Sequence, residues 1–131
     1  MIVDTSAVVA IAKREGTAAQ LRDALLRRAP SLMSAVAFVE LSIVLRAQWT
    51  GPEIDGLLEA LDVTPVPVTV DQARLAAQAY RDYGKGSGSK ARLNLGDTFS
   101  YALAKDTGRP LLYVGNDFAH TDVTPALARG D

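Results

Sequence analysis

Short apolar runs alternate along the chain with longer stretches whose apolar residues recur at helical spacing. IVD (2–4) reads as a short buried strand, and SAVVAIAKR (6–14) as a helix with Thr5 or Ser6 as cap and Gly16 as stop. TAAQLRDALLRR (17–28) reads as a second helix ending before Pro30, and LMSA (32–35) as a second strand. AVAFVELSIVLRAQW (35–49) is a strongly apolar helix stopped by Gly51-Pro52, after which PEIDGLLEAL (52–61) is amphipathic with Pro52 in its first turn. VTPVPV (63–68) is extended, and its two prolines suggest an edge strand. VDQARLAAQAYRDYG (70–84) carries an apolar stripe at Ala73, Ala76, Ala77 and Tyr80. KGSGSKARLNLG (85–96) is a loop by composition, DTFSYALAKDTG (97–108) a helix and LLYVGN (111–116) a buried strand. Short strands alternating with helices predict an α/β fold with a mainly parallel sheet flanked by helices.

In an open parallel sheet, sites form at the C-terminal edge of the strands. Asp4 ends the first strand and Asp117 follows the last by a short turn, so both belong at that edge. Helices in α/β units run antiparallel to the strands beside them, which brings helix starts to the same edge. Asp97 opens its helix there, and Glu40 lies roughly 5–8 Å into its own at 1.5 Å per residue. Four carboxylates from separate segments are thus expected together.

Three of them have ordinary explanations. Asp4 and Asp97 suit helix caps, and Asp117 suits a Gly-Asn-Asp turn. Glu40 does not, because its helical neighbours Val36, Ala37, Ile43 and Val44 are all apolar, and Arg46 lies six residues on, pointing elsewhere. A carboxylate in that setting needs a cation, an arginine or a proton, since leaving it buried and unpaired costs several kcal/mol; the ordinary alternative is a carboxylate satisfied by a distant basic residue or exposed beside an interface.

Composition narrows the chemistry. The chain has no cysteine and one histidine, His120, which excludes thiolate nucleophiles, cysteine–zinc sites and two-histidine ribonuclease chemistry. His120 itself reads as a solvated loop residue, with substrate contact as the alternative. Acids without His or Cys suit hard divalent ions, Mg²⁺ or Mn²⁺. Such a site can activate water and neutralise phosphoryl oxygens, and phosphodiester hydrolysis is its natural chemistry. A net charge of −1 supplies no global basic field. No apolar run reaches the ~18 residues of a membrane span and no basic leader opens the chain, so a cytoplasmic protein without membrane contact is expected. At 131 residues, with 48% hydrophobic and 22% charged positions, a single domain over 1–131 is expected.

IVDTSA, the acid within FVEL, the block LGDTFSYALAKDTGRPLLYVGND and the aspartates that trail it resemble a PIN domain, most closely the VapC toxins of VapBC toxin–antitoxin pairs. The resemblance spans nearly the whole chain. It implies a PIN-like three-layer fold and a Mg²⁺- or Mn²⁺-dependent endoribonuclease acting on an RNA substrate. Carried over by position, Asp4, Glu40, Asp97 and Asp117 match the family's acidic quartet, with Asp4, Asp97 and Asp117 as metal ligands, and Ser6 matches its polar residue after the first acid. Asp122 is an ambiguous fifth acid; it would open a last short strand on the opposite edge and ranks below Asp117.

The loop 84–96 fits no nucleotide motif: Ser89 and Ala91 break a Walker A pattern. It is either a plain connector or a source of phosphate contacts from Lys85, Lys90 and Arg92. Arg14, Arg22, Arg27 and Arg28 offer the same or a merely solvated face. The helices SAVVAIAKR, TAAQLRDALLRR and AVAFVELSIVL carry more apolar surface than a small sheet covers, unless all three simply pack on it. The resemblance divides that surface between a homodimer contact and a groove for a small cognate antitoxin. Other readings are a different metal-dependent nuclease or phosphohydrolase, or a non-catalytic interaction domain whose acids only cap helices.

Overall fold

The computed structural model describes residues 1–127, so the last four residues of the expected domain lie outside the described residues. Its elements run β1 (Ile2–Val3), α1 (Thr5–Ala12), α2 (Ala18–Arg27), β2 (Ser31–Ser34), α3 (Ala35–Leu45), α4 (Gly51–Ala60), β3 (Val63–Val66), α5 (Val70–Tyr83), α6 (Leu95–Thr107) and β4 (Leu111–Leu112). The strands form one parallel sheet in the order β3-β2-β1-β4.

Alternation along the central strands builds three layers. Val3, Met33 and Leu112 turn to one face and pack with α1–α4; Ile2 and Leu111 turn to the other and pack with Leu103, Ala104 and Ala79 of α6 and α5. Both faces are covered at the centre of the sheet, so β1 and β4 read as unbroken apolar pairs rather than alternating ones. β3 is an edge strand, where Pro65 costs no ladder bond on its open side.

Several boundaries differ from the sequence expectation, each for a local reason. Asp4 caps α1, not Thr5 or Ser6. The helix stops at Ala12, and Arg14 takes the left-handed turn at φ 53°, so Gly16 is not the stop. α3 ends at Leu45, and Gly51-Pro52 opens α4 rather than closing α3. There Thr50 and Glu53 exchange side-chain and backbone hydrogen bonds in a capping box. β4 is shorter than 111–116, because Val114 donates its N–H to Ser6 Oγ instead of to a strand. The strand expected at Asp122 is reduced to one parallel bridge between Leu111 and Pro125. Among the described residues no helix is long and apolar enough to cross a membrane.

Candidate active site

β1 is followed immediately by Asp4, whose extended backbone (φ −82°, ψ 156°) caps α1. One carboxylate oxygen accepts from the Ser6 N–H at 3.0 Å, and the other accepts from Ser100 Oγ at 2.6 Å. Asp4 is 2% exposed, so those donors replace water.

Asp97 is the third residue of α6, not its cap. Asn94 is the cap: its Oδ1 accepts from Asp97 N at 2.8 Å, and Asp97 Oδ2 accepts from Asn94 N at 3.0 Å. Asp97 is buried, and burial first raises its pKa to about 7. The Asn94 N–H opposes that rise; the charges of Asp4, Asp117 and Glu40 add to it. That mutual repulsion places the four acids in one electrostatic cluster.

Glu40 is half-buried on α3 and its pKa is also raised, chiefly by burial, then by Asp4. A hydrogen bond from Thr5 opposes the rise. The Thr5 hydroxyl also donates to Ala37 O at 2.9 Å, and its single proton serves one acceptor at a time.

Asp117 stands exposed after β4. Gly115 makes the turn at φ 96°, and buried Phe118, its ring 5.2 Å from that of Tyr113, anchors the loop. The Val114–Ser6 hydrogen bond ties the same segment to the start of α1. Ser6 therefore braces the Asp4 loop against the Asp117 loop.

The remaining candidates separate from this cluster. Asp122 accepts from Tyr101 Oη at 2.5 Å and from Lys105 Nζ at 3.1 Å, one to two turns further along α6. These bonds, Tyr101 first, lower its pKa, as befits a satisfied structural carboxylate. His120 is exposed. Lys85 and Arg92 line a depression of about 510 Å³ with Gly86, Gly88 and Ser89, and Lys90 projects outside it. The loop is not a loose connector: Lys85 N donates to Leu93 O and Leu93 N to Tyr83 O, closing its base immediately before Asn94, the cap of α6. Of the helix arginines, Arg27 pairs with Asp23, and Arg28 donates to Ala126 O.

Ser100, Asn94 and Gly96 were not singled out in the sequence, and Thr5 only as a candidate helix cap. Ser100 had a usable signal, since it lies three residues after Asp97 on the same helix face. Asn94 had another, the N-x-x-D spacing of a capping box.

The donor chemistry of the cluster fits a hard divalent cation. It is all oxygen and partly buried, and the two ion pairs among the described residues, Arg27–Asp23 and Lys105–Asp122, both lie outside it. Among the described residues, no three acidic side chains stand close enough to enclose an ion by themselves. The described residues therefore do not by themselves assemble the three-carboxylate set of Asp4, Asp97 and Asp117 expected from the sequence; a Mg²⁺ ion here would take one or two carboxylates and complete its shell with waters and substrate phosphate. Beside Glu40 runs an apolar groove of about 630 Å³, lined by Val36, Val39, Ile43 and Val44 of α3 and by Leu95. Val39, Ile43 and Leu95 are each more than half exposed, whereas the apolar residues of α1 are largely buried. The uncovered apolar surface is therefore on α3, not on α1.

Comparison with known proteins bears on this arrangement. The family profile of the PIN domain matches residues 1–123. The chain is 55% identical over 130 residues to ribonuclease VapC42 of Mycobacterium tuberculosis, covering 96% of this chain and 98% of that protein. It is 48% identical over 132 residues to ribonuclease VapC28 of the same organism, covering 98% and 99%. Its fold matches a toxin–antitoxin complex from Klebsiella pneumoniae with a TM-score of 0.69 at 17% identity, covering 92% of each chain. It also matches the crystal structure of M. tuberculosis VapC20, described as a sarcin–ricin loop cleaving toxin, with a TM-score of 0.67 at 18% identity, covering 95% and 98%.

Proposed function

The chain belongs to the PIN-domain family, and on that premise we propose that it is the ribonuclease toxin of a toxin–antitoxin pair, cutting RNA phosphodiesters at Asp4, Glu40, Asp97 and Asp117 with Mg²⁺ or Mn²⁺. The observation that carries the assignment of the site is the burial of two carboxylates, Asp4 and Asp97, at the start of α1 and α6, with neither ion pair among the described residues reaching them; the raised pKa of Asp97 agrees with it. Uncompensated negative charge at one sheet edge is costly to keep unless a cation binds there.

Asp4 and Asp97 are the buried acids that would hold the ion, with Asp117 at the exposed rim. When bound, a hard divalent ion offsets charge on the phosphate and lowers the pKa of water. Ser100 and the Ser6 N–H fix both oxygens of Asp4, and the capping box fixes one oxygen of Asp97. Glu40, with its raised pKa, is a better proton acceptor than an ordinary carboxylate, and we assign its carboxylate to take the proton from the attacking water. Lys85, Lys90 and Arg92 would hold RNA phosphates beside the α6 start.

The purified protein should cut single-stranded RNA with Mg²⁺ or Mn²⁺ and stop in EDTA. Gel analysis of a labelled RNA checks this, and cleavage that persists after complete chelation rejects the metal reading. The exposed strip on α3 supports two protein partners, a second copy of the chain and a small antitoxin. Light scattering across a dilution series should show a dimer, and co-expression with the adjacent small gene should give a complex that cuts slower than the free protein. A monomer at every concentration rejects the first, and an equally active complex rejects the second.

A further inference from the structure

Gly96 stands second in α6, with Asp97 next to it. Its φ lies outside the left-handed region, so an L side chain fits its backbone. Glycine is a poor helix former and alanine the best, so this helix gives up stability at that position. Two other helical glycines, Gly51 and Gly56, have open space where a side chain would go. Gly96 does not. An ideal Cβ built on it would stand 2.7 Å from Glu40 Cδ and 2.9 Å from Oε1, with Oε2 closer still. All three carboxyl atoms of Glu40 occupy the volume of a missing side chain.

We infer that Gly96 is a positioning residue: the absence of its Cβ lets the Glu40 carboxylate pack against the first turn of α6, next to Asp97. Three constraints hold the carboxylate there. α3 supplies the approach, from apolar neighbours that offer it no alternative partner. Thr5 supplies a hydroxyl on the α1 side, shared with Ala37 O. The α6 start supplies the positive end of a helix dipole, with no side chain in the way. A methyl group at 96 would force the carboxylate out along the groove formed by Val36, Ile43 and Leu95. Asp4 and Asp97 would keep their own partners, Ser100 and Asn94, which do not involve Gly96.

The inference rests on the ribonuclease reading for its activity test, and a metal-free measurement keeps the two separable. Four proteins are compared: wild type, Gly96→Ala, Glu40→Asp and the double variant. Without metal, Gly96→Ala should melt at the wild-type temperature or above it, because its helix gains a better residue. The nuclear Overhauser contact between the residue-96 α-proton and the Glu40 γ-protons, expected in wild type, should vanish. With Mn²⁺ and RNA, Gly96→Ala should lose about 100-fold in kcat, the scale of a misplaced catalytic group, with KM within about twofold. In the double variant the shorter aspartate leaves room for the methyl, so cleavage should be no slower than in Glu40→Asp alone. Four results overturn the inference: a melting temperature lowered by more than about 5 °C, a surviving nuclear Overhauser contact, near-normal kcat in Gly96→Ala, or the same fold-loss from Gly96→Ala in both backgrounds. A wild type that never cuts RNA rejects the ribonuclease reading, and the metal-free measurements still decide the role of Gly96.

Discussion

Asp97→Asn should abolish RNA cleavage and at the same time make the metal-free protein more stable at neutral pH. The activity loss should be ~10³-fold or more, the scale on which removal of one electrostatic group from an active centre is felt. The stability gain follows from the same charge. Asp97 has a folded-state pKa of about 7, against an ordinary value of 3.8, with burial the main cause. Below 3.8 the carboxyl is protonated in both the folded and unfolded states, and no penalty applies. Between 3.8 and about 7 the folded state binds more protons, so stability falls as pH rises; above 7 the full penalty remains. Its ceiling is about 4 kcal/mol, at 1.36 kcal/mol per pKa unit. Asparagine keeps an oxygen for the Asn94 N–H and carries no charge, so the variant escapes the penalty. Denaturant midpoints of the two proteins at a series of pH values check this. The variant's advantage over wild type should grow from pH 4 to pH 7 and then level off. A gap that stays flat or shrinks over that range, or near-normal cleavage by the folded variant, removes Asp97 from the site.

The contrast between Asp97 and Asp122 shows how much of the site was legible in the sequence. Topology alone brought Asp4, Glu40, Asp97 and Asp117 to one sheet edge, because strand ends and helix starts follow from the alternation of elements. It also set Asp122 on the opposite side, where Tyr101 and Lys105 now hold it. Glu40 was legible for a different reason, the wholly apolar ring of its helical neighbours. What was not legible depends on contacts between segments far apart in the chain. Ser100 reaches Asp4 across 96 residues, and the Glu40 carboxyl lies where Gly96 lacks a side chain. Neither pairing has a local pattern. The start of α6 was placed late because Leu95 and Gly96 follow a glycine- and serine-rich loop and look like part of it. For Asp4, capping and site membership are not rival explanations: one oxygen caps α1 and the other takes the Ser100 hydroxyl. A cap built at the end of a strand is a way of fixing a carboxylate at the active edge.

Mn²⁺ should stabilise the folded protein strongly above pH 7 and weakly at pH 5. A ligand that binds only the folded state adds RT ln(1 + [L]/Kd), about 2.7 kcal/mol at a hundredfold excess over Kd. Binding requires the ionised form of its carboxylate ligands, so a proton on Asp97 competes with the metal. With a pKa of about 7 for that carboxyl, the apparent Kd should weaken roughly tenfold for each pH unit below 7. Two units down, a metal concentration that saturated the site is reduced to about its Kd, and the stabilisation shrinks to less than 1 kcal/mol. The metal holds Asp97 ionised, so the falling stability of the metal-free protein between pH 4 and 7 should level off over the part of that range where Mn²⁺ is bound. Asp97→Asn should show little metal shift at any pH, which separates binding at this site from adventitious binding to surface acids such as Asp23 or Glu59. Melting scans at fixed millimolar Mn²⁺ over pH 5 to 8 make the measurement. A metal shift that is the same at pH 5 and pH 8, or one retained by Asp97→Asn, would place the ion elsewhere.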